Sequence, residues 1–224
     1  MRRFGPQGWW PGETPFEVIV GAILTQGTAW ANVERAIANL KAARLLSVRG
    51  LGRVPRGRLA RLIRPSGYFN QKAVKLKAFM AFMRREYGGG LAAMGREPTA
   101  SLRAKLLAVH GIGPETADSI LLYAFGRPAF VVDAYTVRVL SRHGLLPPGA
   151  GYGEAQRYLV SRLPRDARLF NEFHALFVRV GKEYCGRRPR CAGCPLDGLD
   201  GGGRRTRVRP PGGKGGRRPA RTPA

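Results

Sequence analysis

Thirteen residues restrict this chain more than any others: Leu106-Leu107-Ala108-Val109-His110-Gly111-Ile112-Gly113-Pro114-Glu115-Thr116-Ala117-Asp118. An apolar helical stretch ends, Gly-Ile-Gly reverses the chain, and a second helix starts with Pro114 in its first turn, where a missing N–H costs nothing. The two glycines permit positive φ and leave the backbone bare. The N–H groups of such a turn face outward beside the positive end of the next helix, which is an anion site. Ile112 is placed to pack between the two helices. Taken alone, the same pattern also suits a plain turn between helices.

Charge supplies the anion. The chain carries 39 Lys plus Arg against 14 Asp plus Glu, a net +25 over 224 residues. The last 24 residues hold eight of the basic side chains and no acidic one, which leaves +17 on the rest. A protein this basic gains from neutralising phosphates, because each contact releases condensed counterions. No apolar run reaches the roughly 18–20 residues of a membrane span. Met1-Arg2-Arg3-Phe4-Gly5-Pro6 lacks the apolar continuation of a signal peptide, so a cytoplasmic, nucleoid-associated protein is expected.

The periodicity is helical nearly throughout. Phe16, Val18, Ile19, Ala22 and Ile23 mark a helix after Pro15, and Val33, Ala36, Ile37 and Leu40 mark a second. Gln71–Tyr87 reads as amphipathic, with Lys72, Lys75 and Lys77 outward. Ser101 is an expected N-cap, and further helices fit 114–125, 133–143, 153–163 and 167–184. Only residues 129–132 look extended, so the fold class is all-α with short connections. From Gly201 onward the chain is mostly Gly, Pro and Arg and is expected to be a disordered basic tail.

One carboxylate, Asp133, follows the apolar triplet Phe130-Val131-Val132 and opens the next helix, twenty residues beyond the second hairpin glycine. Most Asp residues at such a place are N-caps, worth about 1 kcal/mol. In this setting the residues resemble a known family. Val109 to Asp118, followed by Val-Val-Asp-Ala-Tyr-Thr-Val-Arg-Val from 131 to 139, is similar to the helix-hairpin-helix and Gly/Pro/Asp signature of the endonuclease III-like DNA glycosylases. Phe16 to Gln26 resembles that family's first long helix, and Gly67 to Ala73 its turn into a central helix.

The resemblance implies two helical subdomains within residues 1–200: a six-helix barrel over about 22–130, and a second unit from 1–21 and 131–200. It also implies roles. Gln26 fills the gap left by an extruded base, and Val109, Gly111, Ile112 and Gly113 clamp the DNA backbone. Asp133 is the catalytic carboxylate. Bifunctional members carry a nucleophilic Lys where this chain has Glu115, and a carboxylate forms no Schiff base. The expected enzyme is therefore a monofunctional glycosylase, acting as a monomer on double-stranded DNA with damaged bases. A Glu here resembles the branch that removes alkylated purines. The alternatives are a weak lyase for oxidised pyrimidines and a non-catalytic binder of damaged DNA. Lys105 and Lys182 are the nearest amines, neither at the family's position. Among the aromatics Trp9, Trp10, Trp30, Tyr68, Phe69 and Tyr135, the preferred base-stacking groups are Trp30 and Tyr135.

The three cysteines, Cys185-x5-Cys191-x2-Cys194, cluster as metal ligands do. The family holds a [4Fe–4S] cluster on four Cys in this region. Here the first gap is one residue short and Asp200 stands at the fourth place. The expectation is a retained cluster with Asp200 as fourth ligand in a loop over 185–200. An outside ligand, loss of the cluster, or zinc remain open beside it. His110, His143 and His174 are too dispersed to suggest a triad or a three-His metal site.

Overall fold

The computed structural model describes residues 3–10 and 12–199, and among these there are eleven α-helices and no strand. Helix α1 (Pro15–Leu24) starts where Thr14 Oγ1 accepts from Glu17 N at 3.2 Å. It is buried along its length from Phe16 onward, as a helix apolar on every side should be. Around it lie α2 (Trp30–Ala42), α3 (Val48–Arg53), α4 (Arg56–Leu62), the 19-residue α5 (Phe69–Tyr87), α6 (Leu91–Arg96), α7 (Thr99–Leu107) and α8 (Pro114–Ser119). Side chains from Phe16 to Leu121 share one apolar core.

The chain then leaves that core through a π-helical turn, Ile120–Ala124. Leu122 belongs to a second core with Phe130, Val131, Val132, Leu140, Leu159 and Phe170. Helices α9 (Ala134–Arg142), α10 (Tyr152–Val160) and α11 (Ala167–Glu183) build this half. The buried connection 130–132, expected to be extended, forms no strand. Gln156 Nε2 donates to Phe130 O at 2.7 Å in place of a neighbouring strand. No helix among the described residues is long and apolar enough to cross a membrane.

Asp118 ties the halves together. Its fully buried carboxylate accepts from Arg103 Nε at 2.7 Å and Nη2 at 2.9 Å, from Tyr152 OH at 2.7 Å and from Gln156 Nε2 at 2.8 Å. Helices α7, α8 and α10 thus meet on one side chain.

Two local expectations are corrected. Ser101 lies inside α7, whose N-cap is Pro98, and its hydroxyl donates to Glu97 at 2.6 Å. The lysines of α5 do not face outward. Lys72 is 2% exposed and donates to Leu24 O at 2.8 Å and Ser66 O at 2.6 Å. Lys77 donates to the carbonyls of Gly52 and Val54, and Lys75 to Gln26. Helix α5 is flanked by α1, α3 and α4, so Lys72 and Lys77 end on backbone carbonyls of neighbouring elements and Lys75 on the Gln26 amide, while Arg84 and Arg85 stay exposed. The expected tail from Gly201 and the expected ligand Asp200 lie outside the described residues.

Candidate active site

The hairpin forms, but only the first of its glycines needs to be one: Gly113 has φ -91° and open space where a side chain would stand. Gly111 takes φ +81°, and a side chain there would collide with the stem of Lys75. Ile112 N donates to Val109 O at 3.0 Å, and both side chains are buried in the first core. The turn, together with Gln26, Lys75, Glu115 and Thr116, lines a cavity of about 560 Å³.

Beside it opens a larger cleft of about 1070 Å³ between the two halves. Gln26, Trp30, Glu115, Asp133 and Tyr135, distant in sequence, all line it. Gln26, Glu115 and Thr116 border both cavities. Gln26 Nε2 donates to Gly111 O at 3.1 Å and Thr116 Oγ1 at 2.9 Å, while its Oε1 accepts from Lys75.

Asp133 caps α9 and does more than cap. Its Oδ1 accepts from Thr136 N at 2.7 Å and Thr136 Oγ1 at 2.8 Å, leaving Oδ2 on the cleft side, 3.7 Å from His174 Nε2. Burial opposes ionisation of this carboxyl, but His174 and the two Thr136 donors outweigh it and hold the carboxyl below its ordinary value. Glu115 goes the other way. The residue is exposed at the rim, but partial loss of water on the cleft side, with the charge of Asp133 added, raises its carboxyl against the pull of His174. The two carboxyls are thereby driven apart, a recurrent arrangement in acid–base sites.

Beside the two preferred members, Trp9 and Trp10 of the wider set of candidate aromatics also line the cleft. The segment before α1 runs along α11, where Gln7 N donates to Glu172 Oε2 at 3.0 Å, and it delivers Trp9 and Trp10 to the cleft. Trp10 has φ +73°, a left-handed conformation that costs about 1–3 kcal/mol in a non-glycine residue and is typical of functional sites. Its ring stacks on Tyr123 at 4.5 Å and meets the edge of Trp30 at 5.2 Å. Trp30 Nε1 is held by Glu34 at 2.8 Å. Tyr135 packs against Gly181 so closely that any side chain there would strike its ring. Tyr68 and Phe69 do not line the cleft. Phe69 packs on the first core, whereas Tyr68 is 72% exposed at φ +43°, beside Gly27.

His174, dismissed with the other histidines in the sequence, stands in the site. The available signal was its position on the buried stripe Phe170, His174, Val178 and Gly181 of an amphipathic helix. Lys182 also lines the cleft, while Lys105 is committed to Glu97 at 2.9 Å.

Of the three cysteines, Cys185 is buried, Cys194 half-buried and Cys191 exposed. Cys185 and Cys194 border the same small apolar cluster with Val139 and Val180. Among the described residues, which do not include Asp200, no group of three or more His, Cys, Asp or Glu is placed to hold a metal ion. The loop is gripped by α9. Arg138 Nε donates to Cys185 O at 2.6 Å, and Arg142 Nη1 reaches Gly186 O at 2.6 Å and Cys185 Sγ at 3.3 Å.

Residues 20–165 match the family described as HhH-GPD superfamily base excision DNA repair protein. This chain belongs to the HhH-GPD superfamily. A protein of Methanocaldococcus jannaschii described as a DNA repair glycosylase is 47% identical over 194 residues, covering 86% of this chain and 88% of the relative. Endonuclease III of Bacillus subtilis is 28% identical over 183 residues, covering 81% of this chain and 78% of the relative. Among solved structures, a 3-methyladenine DNA glycosylase of H. pylori bound to 1,N6-ethenoadenine superposes with a TM-score of 0.68 at 29% identity. It covers 78% of this chain and 88% of that one. A non-covalent endonuclease III–DNA complex gives a TM-score of 0.74 at 24% identity, covering 86% of this chain and 85% of that one, a likeness of fold. The HhH-GPD chain is a DNA glycosylase of base excision repair with an all-helical fold.

Proposed function

We propose that this glycosylase is monofunctional, and that it releases alkylated, cationic purines from duplex DNA by hydrolysis of the N-glycosidic bond. The observation that carries this reading is the character of the cleft. In a protein of net +25, the cleft is lined by three carboxylates, Glu34, Glu115 and Asp133, against one lysine, Lys182, and by Trp9, Trp10, Trp30 and Tyr135. Indole faces and acidic groups attract a cationic π-system and give a neutral pyrimidine less. The H. pylori glycosylase bound to an adenine adduct supports the same direction.

In this mechanism the basic surface and the hairpin hold the backbone, Gln26 leaves the hairpin to occupy the vacated stack, and the base enters the cleft. Tyr68, exposed beside the Gln26 turn, meets the duplex on the same side. Asp133 Oδ2 stabilises positive charge on the sugar as the bond to the base breaks, and it aligns the attacking water. Glu115 stands where a nucleophilic amine would be needed, so the product is an abasic site with the strand intact. The protein works as a monomer.

A panel of duplexes, each with one lesion, scored with and without alkaline cleavage, tests the proposal. Release of 3-methyladenine or 7-methylguanine, with strand breaks only after alkali, is expected. Asp133→Asn should lower the rate by about 10²–10³ while binding persists. Release confined to oxidised pyrimidines would overturn the substrate assignment.

Lys182 in the cleft favours a second reading, a lyase whose amine comes from α11. Borohydride separates the two: an efficient covalent adduct lost in Lys182→Met establishes the lyase.

A further inference from the structure

His174 is 5% exposed, and its Nε2 is buried with no hydrogen-bond partner among the described residues. Buried polar nitrogens are nearly always satisfied, and an exception calls for a reason. Its other nitrogen, Nδ1, is 2.5 Å from Tyr123 OH. Tyr123 is buried beside Asp133 and Glu115, and loss of water together with those charges keeps its hydroxyl protonated. With the phenol as donor to Nδ1, the imidazole carries its N–H on Nε2. That N–H faces Asp133 Oδ2, the oxygen that Thr136 does not engage, at 3.7 Å.

The ring has little freedom to turn. Trp9 meets it edge-on at 6.1 Å and Tyr123 lies at 6.0 Å. Tyr123 itself is carried by the π-helical turn and stacked on Trp10. A π-helical turn admits an extra residue into a helix and is often found at functional sites.

We infer that His174, backed by Tyr123, is a positioning residue for Asp133: it directs an N–H at the one carboxylate oxygen free for chemistry and so aims that oxygen into the cleft. The inference rests on the reading that Asp133 acts on the glycosidic bond. At 3.7 Å the contact is longer than a hydrogen bond, and catalytic contacts of this kind often tighten in the complex with substrate. The same N–H opposes protonation of Asp133. Glu115, facing from α8, works against it, and Lys182 adds a positive charge to the cleft wall.

The test uses the full chain and two abasic mimics in duplex DNA, a cationic pyrrolidine and a neutral tetrahydrofuran. The wild type should prefer the pyrrolidine, because Asp133 faces a positive sugar, and its absence in the wild type would overturn the glycosidic-bond reading instead. His174→Gln carries an amide that reaches toward Oδ2, whereas the amide of His174→Asn reaches only to Tyr123. The Asn variant should lose about 10-fold or more of the pyrrolidine preference and a similar factor in single-turnover rate, with tetrahydrofuran affinity unchanged. The Gln variant should keep most of both. Tyr123→Phe, which retains the ring and removes the donor to Nδ1, should show a smaller loss of the same kind. A wild-type preference that survives in His174→Asn and Tyr123→Phe overturns the inference, as does an equal loss for both mimics.

Discussion

Lys75 crosses from α5 to donate to Gln26 Oε1, and its alkyl stem fills the space that a Gly111 side chain would need. Gln26 is thereby held on the hairpin from both ends of its amide. If Gln26 departs on DNA binding, Lys75 is left with a free ammonium at the phosphate-binding cavity. Lys75→Met is then expected to reduce the slope of log K against log salt by about 0.9, the value of one phosphate contact. An unchanged slope in a fluorescence-anisotropy titration would show that Lys75 stays on Gln26 in the complex.

Asp118 accepts four hydrogen bonds with no exposure of its own. Asp118→Ala strands the Arg103 guanidinium, Tyr152 and Gln156, and should cost about 3–5 kcal/mol in urea unfolding. Asp118→Asn keeps part of the acceptor set and should cost less. Equal stability of Asp118→Ala and wild type would remove this side chain as the tie between the halves.

Lys72 makes a pH prediction. Burial, with Lys75 nearby, lowers its ammonium from 10.5 to about 8. Between those values the unfolded chain binds the proton and the folded chain releases it, so stability rises with pH through that window. Lys72→Met leaves Leu24 O and Ser66 O without this donor and should be less stable at pH 7 by about 1–3 kcal/mol. The wild type's advantage should then widen from about pH 8 to about 10.5. A flat difference across that range would contradict it.

The cysteine loop gives a fourth. Arg142→Ala removes donors to Gly186 O, Arg187 O and Cys185 Sγ. Hydrogen exchange over residues 185–199 should accelerate, and unchanged protection would show that other contacts hold the loop. Iron analysis of the same anaerobic preparations tests the expected cluster separately, at about four irons per chain if it is retained.

The readings that held were local. Gly111 turns the hairpin at positive φ, while Gly113 adopts a backbone open to other residues, and Asp133 needed only Thr136 to start α9. The cleft was legible only in part. Trp30 and Tyr135 reach it as expected, but Trp9 and Trp10 arrive on a segment that α11 positions, and periodicity does not report such a path. His174 looked like one scattered histidine because its partner is 41 residues away in sequence. The lysines of α5 were misread because a one-sided amphipathic pattern assumes a helix with one wet face. Asn70, Gln71, Arg84 and Arg85 do keep a wet face, but Lys72 and Lys77 lie where α1, α3 and α4 approach and end on their carbonyls or those of adjoining turns.

Gln26, Glu115 and Thr116 border both the hairpin cavity and the cleft. A group seated against the hairpin would therefore touch side chains that also shape the cleft. A substitution at Gln26, Glu115 or Thr116 is expected to register in lesion choice and in DNA affinity together.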